Sequence, residues 1–91
     1  MFRAVLNRAF EIRGRGTVLA VEIRDGTIKA GDSISISTSN GTRIAQVLAV
    51  EFIDYDIGRP TFRSELGLVV DDISVTEVIV GDEVHAVSAG L

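Results

Sequence analysis

The stretch Phe10-Glu11-Ile12-Arg13-Gly14-Arg15-Gly16-Thr17-Val18-Leu19-Ala20-Val21-Glu22-Ile23-Arg24-Asp25-Gly26-Thr27-Ile28-Lys29-Ala30-Gly31-Asp32 reads as strand, turn, strand, turn and the start of a third strand, with a glycine at every corner. Leu19, Val21 and Ile23 share one face of an extended segment, and Ala20 and Glu22 share the other. That is the period-2 pattern of a half-buried strand. The glycines of Gly14-Arg15-Gly16 suit a β corner that needs unusual φ and close backbone approach, and no nucleotide loop is read there.

Outward from this stretch the all-β reading continues. Further turn signals stand at Ser39-Asn40-Gly41, Gly58-Arg59-Pro60, Asp71-Asp72 and Gly81-Asp82, leaving room for short strands between them. Ile34 and Ile36 alternate with Ser33, Ser35 and Ser37. Asn40-Gly41 predicts a tight primed hairpin turn, because both residues tolerate positive φ. In 42–53, Ile44, Leu48, Val50 and Phe52 share one parity and Arg43, Ala45, Val47, Ala49 and Glu51 the other. Leu66, Leu68 and Val70 make another strand, 74–80 reads as a turn of helix or an extended crossing, and 83–87 closes the sheet. Helical periodicity is nowhere sustained, and no internal repeat is visible.

Length and composition bound what this chain can be. Its 91 residues suffice for one domain spanning 1–91. Hydrophobic residues make up 46% and charged residues 24%, a globular mixture, but the mean hydropathy of +0.33 is high for so small a protein. It implies apolar surface that a partner covers. No apolar run is long enough to span a bilayer and no signal-peptide pattern opens the chain, so a cytoplasmic location is expected. Cysteine is absent, which excludes disulfides and thiolate metal sites and fits a reducing compartment. Net charge is −4, and all nine Lys and Arg lie at or before Arg63, whereas 64–91 carries six acids and no base.

Catalytic and metal chemistry find little support. Lys29, the only lysine, sits in a turn, and no Gly-x-x-x-x-Gly-Lys-Ser/Thr loop exists to hold a nucleotide. His85, the sole histidine, reads as structural. Asp54 and Asp56 alternate onto one side and would need Asp71 or Asp72 and several more oxygens to cage a hard cation; solvated turn acids explain them better. No enzyme, metal or cofactor is expected.

Several of these residues carry a family likeness. Phe2, Leu6 and Phe10, the Gly-Arg-Gly-Thr corner at 14–17, Gly-Thr-Ile-Lys-x-Gly-Asp at 26–32, Val50-Glu51-Phe52, Glu65-Leu66-Gly67-Leu68 and Val80-Gly81-Asp82-Glu83-Val84 resemble, over nearly the whole chain, the second domain of translational GTPases such as elongation factor Tu. The resemblance implies a small closed antiparallel β-barrel of six or seven strands. It also implies a role in holding the aminoacylated end of tRNA, at a pocket whose first-strand phenylalanine and Val-Glu-Met-Phe glutamate match Phe10 and Glu51. Other positions depart from the family: its acidic residue two before the phenylalanine is Arg8 here, its second-strand threonine is Ala20, and its arginine three after the glutamate is Asp54. These changes remove polar contacts from the pocket.

Two classes of function are consistent with this reading. In the leading one the barrel is a non-enzymatic module acting by protein–protein contact or self-association. Val5, Val18, Val47, Val69 and Ile79 are then candidate outward apolar positions, and Ile57, Pro60 and Phe62 a docking lip. The alternative is an RNA-contacting module for tRNA or ribosomal RNA, with Arg8, Arg13, Arg15, Arg43, Arg59 and Arg63 on phosphates. Net acidity argues against it. The chain suits an autonomous unit and one domain of a longer factor alike.

Overall fold

The computed structural model describes residues 2–52 and 65–87. Six strands, β1 (Arg3–Ile12), β2 (Gly16–Asp25), β3 (Ser33–Thr38), β4 (Gly41–Phe52), β5 (Glu65–Val70) and β6 (Glu83–Ala86), close into an antiparallel barrel in the order β1-β2-β5-β4-β3-β6. Closure leaves no unpaired sheet edge. Leu6, Leu19, Val21, Ile34, Ile36, Val47, Leu68, Val70 and Val84 fill the interior. Burying each such aliphatic side chain stabilises the fold by about 1.5–3 kcal/mol.

The inward and outward faces follow the alternation in β2, β3 and β5, and bulges interrupt it in β1 and β4. Register shifts fall between Leu6 and Arg8 in β1 and between Val47 and Ala49 in β4. Ala45 and Val47 therefore face the core, and past the bulge it is Val50 that packs against it. Val47, expected to point outward, has no exposed surface. The single-parity grouping of Ile44, Leu48, Val50 and Phe52 fails for the same reason, since one extra residue turns the strand over. The turn at Asn40-Gly41 joins β3 to β4 as expected, but only Gly41 takes positive φ, so it is not the primed turn. The Thr38 hydroxyl accepts from the Asn40 backbone N–H instead.

Two long connections close the ends of the barrel. From β2 to β3 the chain brings Ile28 against the core. From β5 to β6 it buries Ile73 and Val78 on either side of a single 3₁₀ turn, Val75–Glu77. Ser74 caps that turn, accepting from the Thr76 N–H while Glu77 accepts from the Ser74 N–H. The Thr17 hydroxyl donates to the Ile73 carbonyl at 2.6 Å, and Arg43 donates to the Asp72 carbonyl and pairs with Glu77.

The hydrogen bonds reveal a repeat that the residues conceal. Gly31 N–H donates to the Val47 carbonyl and Val47 N–H to the Asp32 carbonyl; likewise Gly81 donates to Leu6 and Leu6 to Asp82. The Asp32 carboxylate accepts from Lys29 N–H as the Asp82 carboxylate accepts from Ile79 N–H. Each Gly-Asp corner thus docks beside the bulge of the other half. The barrel consists of two like units, β1-β2-corner-β3 and β4-β5-corner-β6, each completing the other. Ala4 and Leu6 correspond to Ala45 and Val47, Leu19 to Leu68, Ile28 to Val78, and Ile34 to Val84.

Candidate binding surface

The outer wall is where the candidate residues lie, and it has two unlike regions. Across β1, β2, β5 and β4 the register lines up Phe10, Val18, Val69 and Ala49 in one outward row, and Arg8, Ala20, Gly67 and Glu51 in the next. Phe10 and Glu51 therefore share a face, with β2 and β5 between them. Outward residues of a closed barrel ordinarily meet water. Here Val18 and Val69 are only 3% exposed and Ala20 not at all.

Side-chain bridges lie over this wall. Arg15, at the β1–β2 hairpin, pairs with Glu51 on β4, and because β5 lies between β2 and β4 the pair spans its outer face. Asn7, in the β1 bulge, donates to Glu65 on β5 at 2.7 Å, spanning β2. The Arg8 guanidinium carbon stands 5.6 Å from the centre of the Phe10 ring, within cation–π range. Small floor residues, Ala20 opposite Gly67, leave room for these long side chains to lie low.

The second region is open. Ile44 (60% exposed) and Leu48 (50%) project from β4, and Ile79 (59%) and Val80 (72%) from the corner before β6. All four belong to the second unit. Their counterparts in the first are Arg3, Asn7, Lys29 and Ala30. Sequence reasoning finds Ile79 among them and misses the other three; the bulge hides the outward parity of Ile44 and Leu48. Of the other outward candidates, Val5 is half-buried, and Val18 and Val69 face outward beneath the bridges.

The arginines divide in the same way. Arg15 is engaged by Glu51 and Arg43 by Glu77, so two of the six candidate phosphate contacts already hold carboxylates. Arg8 lies over Phe10, and Arg13 is exposed at the hairpin. Arg59, Arg63, Asp54, Asp56, Ile57, Pro60 and Phe62 lie outside the described residues. His85 pairs with Glu83 at 3.0 Å. Among the described residues no group of three or more His, Asp or Glu side chains is placed to hold a metal ion, and no helix is long and apolar enough to cross a membrane.

No protein-family model matches this chain.

Proposed function

We propose that this barrel is a non-enzymatic binding module of the translation-factor domain II kind, acting through contact with protein, its own copy or another chain. The observation that carries the reading is the contrast between the units. The corner at Lys29-Ala30 and the corner at Ile79-Val80 do the same backbone work, so the fold itself makes no demand for large exposed aliphatic side chains at the second. Exposed apolar groups without a folding role mark surface that a partner covers. The engagement of Arg15 and Arg43 by carboxylates weighs against the RNA-contacting alternative, because those cations would have to exchange partners before meeting phosphate.

The test is site-specific photo-crosslinking in cell lysate after ribonuclease treatment. A photoreactive residue at position 79 or 80 should trap protein, and one at position 30 should trap none. RNA adducts obtained without ribonuclease from position 13, with no protein trapped at 79 or 80, would put the RNA reading in its place.

A further inference from the structure

We propose that the Arg15–Glu51 pair is an openable strap over a second binding site on the roofed wall, one that receives a protein segment carrying an apolar side chain next to a carboxylate. The inference rests on the reading of the barrel as a protein-binding module, but it concerns a different wall from the exposed corner. Its floor is Val18, Ala20, Gly67 and Val69, and Phe10 stands at one side. This floor is apolar and nearly inaccessible on a wall that topology turns outward, so the bridges above it occupy the space a ligand would take.

The strap fits an exchangeable cover. Both of its side chains remain well exposed, Arg15 at 46% and Glu51 at 40%. An exposed ion pair of this sort favours its closed form by no more than a factor of about five and weakens further with salt. The chemistry of the occupant is set by the group it displaces. Arg15 now holds a carboxylate, so an incoming carboxylate can replace Glu51 on the guanidinium while its apolar neighbour settles on the floor. Glu51 is in this sense a resident competitor and Arg15 the binding group.

That assignment gives the two residues opposite effects, which a merely structural ion pair would not. The probe is the peptide acetyl-Leu-Asp-Leu-amide, titrated into the isotopically labelled protein while backbone amide shifts are followed by NMR. The expected result is movement of the Ala20, Gly67 and Val69 amides. E51Q should tighten binding by up to about fivefold through loss of the competitor, while R15Q weakens it at least as much, and the acetyl-Leu-Asn-Leu-amide control behaves with wild type as the acidic peptide does with R15Q. Unchanged shifts elsewhere in each variant report an intact barrel. Affinity changes of the same sign for both variants overturn the strap, as does the absence of movement at these amides in both wild type and E51Q. An oligonucleotide that moves the same amides at lower concentration than the peptide overturns the choice of occupant. Crosslinking at positions 79 and 80 reads the other surface, so either proposal can fail while the other stands.

Discussion

The corners Lys29-Ala30-Gly31-Asp32 and Ile79-Val80-Gly81-Asp82 turn at glycines with φ of 98° and 99° and make matching hydrogen bonds, yet one shows water a lysine and an alanine and the other two large aliphatic side chains. The same contrast runs along the bulged strands, where Arg3 and Asn7 of β1 stand in the places of Ile44 and Leu48 of β4. A pseudo-symmetric barrel thus carries its own control. What both units share is needed to fold, and what only one unit shows is open to another explanation. In this chain the shared part is the aliphatic lining and the Gly-Asp corners, and the unshared part is an apolar surface on one unit.

The comparison can be broken first at the lining. Leu19→Ala and Leu68→Ala, at equivalent fully buried positions, should each cost about 2–5 kcal/mol in chemical denaturation. A cost below about 1 kcal/mol at only one of them would end the equivalence of the two cores. Next come the corners. No heavy atom lies within 4 Å of a Cβ added at Gly31 or Gly81, so alanine at either bears only the cost of left-handed backbone, about 1–2 kcal/mol, and by the same amount at both. Unequal losses in the same assay would show that the corners differ in more than their exposed side chains.

Smaller effects sharpen the contrast. Thr17 and its counterpart Leu66 differ chemically, and only Thr17 ties a strand to the β5–β6 connection, through its bond to the Ile73 carbonyl. Thr17→Val should cost about 1 kcal/mol by thermal or chemical unfolding. An unchanged midpoint would remove that bond from the account. The smallest expected change in stability is also the most informative for function. Ile79→Lys combined with Val80→Ala transplants the first corner onto the second and should alter stability by less than about 0.5 kcal/mol. Crosslinking from a photoreactive residue at position 44 should fall if the exposed apolar groups serve one partner. Marked destabilisation would mean that these side chains do contribute to folding.

Much of the fold is legible in the sequence because the local signals agree. Alternation at Leu19, Val21 and Ile23 and at Ile34 and Ile36, with a glycine at each corner, leaves little but a small antiparallel barrel, and the closed six-stranded sheet is what forms. The misreadings cluster at the bulges. Alternation puts Val47 on the wrong face because a bulge inserts one residue into the period, and nothing in the residue types at 47–49 announces it. The repeat is hidden for a related reason. Only the Gly-Asp corners keep the same residues, while the strands preserve a pattern that many aliphatic sequences satisfy.

The candidate site is legible only as residues. Phe10, Glu51 and Arg15 stand out individually, but their placement on one wall depends on β5 inserting between β2 and β4. By itself, the sequence determined the features that neighbours along the chain control: which segments extend, where they turn and that their apolar faces need a shared interior. The tertiary structure decided strand order, the two bulge registers, the meeting of Arg15 with Glu51 and the burial of an outward-facing apolar wall. Those are relations between residues distant along the chain, set by the closure of the sheet as a whole, and period-2 alternation carries no record of them.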